Sequence, residues 1–228
     1  MQSFKLDKNT EIPFNTLVDN IRKVFIDASP EIVTAGSNWY NVANTFARII
    51  SDETKTPLFV VCMVIAALSP RNPWYDTVYV GNLGAALRMI ESFNKCDNPA
   101  GYDGTHVSCS TFNSNRVKAW AILLDNSMGH NDAEYYHVKH FGTATKTWNF
   151  CNNIFNPDST DYVTIDGHAT HIALYGLNYV TLANAPSIKS GNKYQVLVNA
   201  YRAVAAEFNV KAWQIQAVTW ENYRLQSN

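Results

Sequence analysis

His140-Phe141-Gly142-Thr143-Ala144-Thr145-Lys146-Thr147-Trp148-Asn149-Phe150 reads as the end of one helix, a tight turn and the start of a second helix. Gly142 supplies the conformational freedom that a sharp turn needs. Before it, Asp132 to His140 has the pattern of a short helix; after it, Ala144 to Phe155 continues as another. Lys146 falls in the first turn of that second helix. Unpaired backbone N–H groups at such a start point outward and suit a phosphate. Thr143 and Thr145 add hydroxyl donors. A lysine there opposes the helix dipole, which hints that its amine is wanted for another reason; an ordinary solvated lysine is the plain alternative.

Outward along the chain, helical periodicity dominates. Pro13 to Ala28 places Phe14, Leu17, Val18, Ile21, Val24 and Phe25 on one face, with Pro30 read as its stop. Asn38 to Ile50 repeats the pattern. Pro57 opens an apolar helix that Ser69-Pro70 ends, and Tyr75 to Phe93 reads as a long amphipathic helix. Cys96 to Phe112, with Pro99, Gly101 and Gly104, reads as an exposed connection with room for a short strand pair. Helices follow at Asn115 to Leu124, Gly167 to Tyr175, Tyr194 to Phe208 and Lys211 to Tyr223. Trp213, Trp220 and Tyr223 read as a packing stripe on the last of these. The fold class expected is all-α, and 228 residues suit one domain or two small helical lobes.

Composition narrows the function. Hydrophobic residues are 46% of the chain and charged residues 16%, which excludes a disordered chain. The net charge of −1 gives no global basic excess, so nucleic-acid binding would need a local patch. Cys62, Cys96, Cys109 and Cys151 form no CxxC pair, which argues against a zinc knuckle or an iron–sulfur cluster. With no apolar leader and no run long enough to span a bilayer, the expectation is no membrane partner and a reducing, cytoplasmic setting.

A second stretch, Val163-Thr164-Ile165-Asp166-Gly167-His168-Ala169, is an apolar extended segment that ends in a helix cap. Asp166 is placed to accept N–H bonds from the following turn, which is commonly a structural role. Its relation to Lys146 gives it interest. The helix from Ala144 carries the chain about 15 Å away at 1.5 Å per residue. The stretch Asn156 to Ile165 can return it, at about 3.3–3.6 Å per residue. Lys146 and Asp166 can therefore face one cleft from two helix starts. An amine beside a carboxylate suits nucleophilic attack with proton transfer.

These stretches resemble the helix–hairpin–helix DNA glycosylase superfamily. The hairpin is His140 to Lys146, and Ile165-Asp166-Gly167-His168 is similar to that family's V-D-x-H. Upstream, Val64-Ile65-Ala66-Ala67-Leu68-Ser69-Pro70 with Trp74, and Asn115-Arg116-Val117-Lys118-Ala119, resemble two further family helices. The resemblance spans roughly half of the chain, Pro57 to Tyr175. It departs at Ala144, where the family has its second hairpin glycine, and at His140-Phe141, where it has Leu-Pro. The iron–sulfur loop of some members is absent.

The resemblance implies that residues 1–228 form a single glycosylase-like domain of two helical lobes, with a nucleotide of double-stranded DNA flipped into the cleft between them. Lys146 would attack the sugar and Asp166 would steady the developing positive charge. Ser69, Arg71, Asn72, Trp74, Arg116, Lys118, Gly142, Thr143, Thr145, Trp148, Asn149 and His168 would contact DNA or base, Trp74 and Trp148 by stacking. Lys139 adds to the local basic surface. No cofactor and no metal are implied. The phrases SPRNPW, KTWNF and VTIDGHA also resemble a phage branch that hypermodifies thymine, transferring an amino acid or amine to an activated 5-hydroxymethyluracil in DNA. In that case the setting is the host cytoplasm. Two other readings stay open. His137/His140 and His168/His171, each spaced i,i+3, suggest a metal-dependent hydrolase. A non-catalytic DNA-binding helical domain would also fit.

Overall fold

The computed structural model describes residues 3–75, 77–177, 188 and 191–226. Among them are ten α-helices and a single two-stranded sheet, so the chain is mostly helical. It divides into two compact units, one of residues 1–40, 143–149 and 158–228, the other of residues 41–142 and 150–157. Helices α2 (Pro30–Thr54) and α7 (Thr145–Phe155) contribute residues to both.

The first unit begins with a hairpin of β1 (Ser3–Lys5) and β2 (Glu11–Pro13), antiparallel with Phe4 opposite Ile12. Asp7 shapes its turn by accepting the N–H groups of Asn9 and Thr10 at 2.7 and 2.9 Å. Strands of three residues carry too little alternation to be read in advance, and the strand pair allowed for Cys96 to Phe112 does not form among the described residues. Next comes α1 (Phe14–Ile26), which buries Leu17, Val18, Ile21 and Val24 at i, i+1, i+4 and i+7. It packs on α8 (Gly167–Tyr175), α9 (Gly191–Phe208) and α10 (Ala212–Gln226). Val163, Ile165, Ile172, Leu197, Tyr201, Val204 and Ile215 complete that core. Each fully buried aliphatic side chain contributes about 1.5–3 kcal/mol.

Pro30, expected to stop a helix, instead opens α2. Proline lacks only an N–H that a first helical turn leaves unpaired. Ser29 caps the helix, its hydroxyl accepting the Ile32 N–H and donating to Glu31.

In the second unit α3 (Leu58–Leu68) is the central helix. It is apolar on every face, and every residue from Val60 to Leu68 is buried. It packs against α4 (Gly81–Asn94) and α5 (Asn113–Ser127). The helix expected from Tyr75 starts only at Gly81, because the Pro73 carbonyl accepts the Asn82 N–H at 2.8 Å and the Asn82 amide reaches the Ile65 carbonyl. The connection between α4 and α5 is irregular, as its glycines suggest, apart from a 3-10 turn at Pro99–Gly101 held by the Trp120 indole N–H. After α6 (Ala133–Tyr136), capped by Asp132, the chain widens into a π-helical turn, His137–Phe141. No helix of the described residues is long and apolar enough to cross a membrane.

Candidate functional site

The first unit brings Lys146, Asp166 and His168 together. Asp166 is the N-cap of α8, and its Oδ1 accepts the Ala169 N–H at 2.8 Å. Its Oδ2 lies 3.5 Å from His168 Nδ1. Burial pushes the Asp166 carboxyl up, but the His168 bond and charge, the Ala169 N–H and the Lys146 ammonium outweigh it. The carboxyl ends below the usual range and is ionised at neutral pH. Lys146 is half-buried at the start of α7, near enough for its charge to act on that carboxylate.

Two polar side chains hold this geometry. The buried Asn149, one turn beyond Lys146, donates from its amide to the Val163 carbonyl at 2.9 Å and to the Tyr194 hydroxyl at 3.2 Å. That hydroxyl donates to the Val163 carbonyl at 2.9 Å and accepts the Ile165 N–H at 3.0 Å. The extended segment leading to Asp166 is thereby tied to α7 and α9. Asn149, expected at the substrate, serves here as a clamp. Tyr194 carried no sequence signal beyond its place on the core face of α9. Tyr201 adds a bond from its hydroxyl to the Ala169 carbonyl at 3.0 Å. Removing the Tyr194 hydroxyl leaves a buried N–H unpaired, so Tyr194→Phe is expected to lower stability by about 1–3 kcal/mol. Urea unfolding measures this, and an unchanged midpoint would refute the clamp.

Aromatic rings of the first unit flank His168. Its ring stands edge-on to Tyr223 at 5.6 Å and to Trp220 at 6.2 Å. Trp220 in turn meets Trp39 at 6.2 Å and carries the Arg224 guanidinium at 4.5 Å over its ring. The stripe read as packing thus also lines the neighbourhood of His168. Thr143 is exposed; Thr145 and Trp148 are half-buried.

The remaining predicted positions belong to the second unit. Ser69 and Asn72 bond the end of α3, through the Ala66 and Leu68 carbonyls. Arg71 is exposed with φ +63°, its guanidinium 5.1 Å over the Phe112 ring. Trp74 is half-buried, edge-on to Phe150 at 6.5 Å. Arg116, expected at DNA, donates to the Thr105 and Val107 carbonyls at 2.7 and 3.1 Å and to the Asn113 side chain, and so fastens the α4–α5 connection. Lys118 is half-buried. Gly142 has φ +47°, as its turn requires, and its N–H bonds the His137 carbonyl at 2.7 Å. Lys139, counted toward a basic surface, is paired with Asp125.

Among the described residues no group of three or more His, Cys, Asp and Glu side chains gathers as a metal site. His140 is bound to Asp125, and His171 is fully buried between the Tyr175 and Tyr223 rings. The HxxH spacing on α8 and the π-turn therefore gathers no third ligand.

A protein-family model matches residues 3–226, and the chain belongs to that family, a family of unknown function (DUF7178). No curated protein and no solved structure matches the chain.

Proposed function

We propose that this chain is a DNA-base-directed enzyme that draws a modified pyrimidine nucleotide out of a duplex and acts on it with Lys146 and Asp166. The observation that carries the reading is the meeting of a half-buried amine and an ionised carboxylate at two helix openings of one unit. The resemblance of the hairpin and of Ile165-Asp166-Gly167-His168 to the glycosylase superfamily gives that pair a substrate.

In the excision reaction, the Lys146 ammonium first gives a proton to solvent, and its nitrogen lone pair then bonds to the anomeric carbon. The bond from that carbon to the base breaks, and the base leaves with the electron pair and takes the proton that the attacking nitrogen gives up. The sugar then opens to a Schiff base on Lys146. Asp166, ionised, stabilises the positive charge that builds on the sugar ring. His168 and the Ala169 N–H keep its carboxylate in place.

A second reading is favoured by Ala144 in place of the second hairpin glycine and by the absence of a net basic charge. In it the same pair serves the exocyclic carbon of an activated 5-hydroxymethyluracil. An amine or amino acid supplies the new C–N bond, and the activating group leaves with its electron pair.

Incubation with duplexes carrying several modified pyrimidines plus borohydride tests both. The expected result is a covalent protein–DNA adduct in the native chain that Lys146→Ala reduces below detection, about 10³-fold or more. A mass gain on the intact base that depends on an added amino acid selects the second reading. An adduct of equal yield in Lys146→Ala removes the assigned nucleophile. No DNA retention even at low salt, with no adduct and no altered base, removes both readings.

A further inference from the structure

Two of the cations expected to grip DNA from the second unit are engaged within it. Arg116 holds the Thr105 and Val107 carbonyls, and Lys139 is paired with Asp125. The first unit, which carries Lys146 and Asp166, has a cationic feature of its own. A cavity of about 620 Å³ opens at the turn of the β1–β2 hairpin. Its lining is polar throughout and includes three lysines, Lys5, Lys8 and Lys193, beside Asp7, Asn9 and Glu11.

Local structure fixes where these charges stand. Phe4 and Lys5 are neighbours on β1, so the pleat sends them to opposite faces, Phe4 into the core and Lys5 to water. α9 packs on β1 and brings Lys193 to the hairpin. Lys193 Nζ donates to the Leu6 carbonyl at 3.3 Å and stands 5.8 Å from the centre of the Phe4 ring. Both contacts favour the charged amine. An ammonium has three N–H donors, so Lys193 is anchored with donors to spare.

Lys5 and Lys8 are exposed and make no hydrogen bond or ion pair with any described residue, although Lys5 lies opposite Glu11 in the ladder. The two carboxylates of the cavity have partners inside the hairpin. Asp7 Oδ1 accepts the Asn9 and Thr10 N–H groups at 2.7 and 2.9 Å, and Glu11 accepts the Ser3 hydroxyl. Three ammoniums against two such carboxylates leave the cavity positive, on a chain whose net charge is −1. No aromatic or apolar side chain lines it, so it offers a base nothing to stack on and selects for negative charge.

We propose that this cavity seats backbone phosphates of a DNA duplex, as an anchor separate from the turn at Gly142. The identity of the anion rests on the function proposed above. Such a contact positions the duplex and reads no sequence. Each phosphate that a lysine neutralises releases condensed counter-ions, so the contact shows itself in the salt dependence of binding.

The test measures binding of a short unmodified duplex by fluorescence anisotropy from about 50 to 200 mM salt. Lys5→Gln/Lys8→Gln/Lys193→Gln is expected to make the slope of log K against log salt shallower by about 2–3 and to weaken binding about tenfold or more at the lowest salt. Lys8→Gln alone, at a side chain with no bond to lose, should remove about 1 from the slope. The corresponding triple Lys→Arg variant keeps every charge and should keep the native slope. Lys23→Gln/Lys55→Gln/Lys95→Gln removes the same charge from exposed positions outside the cavity and should change the slope by less than about 1. A native slope in the first variant overturns the site. So does an equal loss in the control triple, which would reduce the effect to net charge. Binding of tripolyphosphate without affinity for the duplex overturns the DNA assignment and leaves a site for free phosphate chains. The expected slope change, with no adduct or altered base on any modified duplex, supports this anchor and removes the Lys146 reading. A Lys146-dependent adduct with no slope change removes the anchor alone.

Discussion

Asp166→Asn is expected to leave the fold standing while lowering turnover about 100- to 1,000-fold, the range for removing one preorganised charge-stabilising group from an active site. The substitution separates two roles of one side chain. As an N-cap, Asp166 accepts the Ala169 N–H at 2.8 Å, and asparagine caps about as well as aspartate. As an anion, Asp166 faces the charge of Lys146 and the imidazole of His168, and an amide replaces neither attraction. A stable variant that has lost activity assigns the carboxylate to chemistry. A stable variant with native activity would leave Asp166 a cap and nothing more, and the reading of the Lys146–Asp166 pair would fall with it.

Acid supplies an independent check on the same group. The Asp166 carboxyl titrates lower in the folded chain than in the unfolded one. Its ionised form therefore contributes stability above the unfolded carboxylate value of about 3.9, and that contribution disappears as pH falls through the folded value. Native chain and Asp166→Asn should differ in urea midpoint at pH 7 and converge in strong acid. A gap that widens on acidification would reverse the assigned direction.

The physics that made parts of this structure legible is the period of apolar residues. Long amphipathic stretches such as Phe14–Ile26 and Gly191–Phe208 declared themselves because one face repeats over more than three turns. The cap at Asp166 was legible because an aspartate ended an apolar extended run just before a helix. Pro30 was misread because proline marks both helix ends, and only Ser29 and Glu31 beside it decide which. The nearness of Lys146 to Asp166 was allowed by chain length, but its cause was not visible. That cause is the pair Asn149 and Tyr194, whose polar ends meet at the Val163 carbonyl from positions 45 residues apart. No local pattern announces a bond of that separation. Arg116 shows the converse. Its place in a motif-like helix suggests a nucleic-acid contact, while its bonds to the carbonyls of Thr105 and Val107 have no sequence signal at all.

The second large effect concerns packing, and its sign runs against local propensity. Gly36 lies within α2, where alanine would by itself favour the helix by about 1 kcal/mol. A Cβ at that position would stand 2.5 Å from Val218 Cα and 2.6 Å from Val218 N on α10. Those neighbours are backbone, so relief requires moving a helix rather than a side-chain tip. Overpacking of well-filled cores typically costs 1–3 kcal/mol, and a backbone clash belongs at or above the upper end. Gly36→Ala is therefore expected to lose roughly 2–3 kcal/mol net, which for a chain of this size lowers the melting temperature by about 4–12 °C. The exposed Ala35→Gly should lose only about 1 kcal/mol, through propensity alone. The strain would not stay local. Trp39, one turn beyond Gly36, meets Trp220 of α10 at 6.2 Å, and Trp220 meets the ring of His168 at the same distance. Forcing α2 and α10 apart loosens the wall behind His168, and with it the carboxylate of Asp166 at 3.5 Å. Thermal melts and turnover of Gly36→Ala should thus fall together. A rise in melting temperature would mean that propensity, and not the helix contact, governs this position.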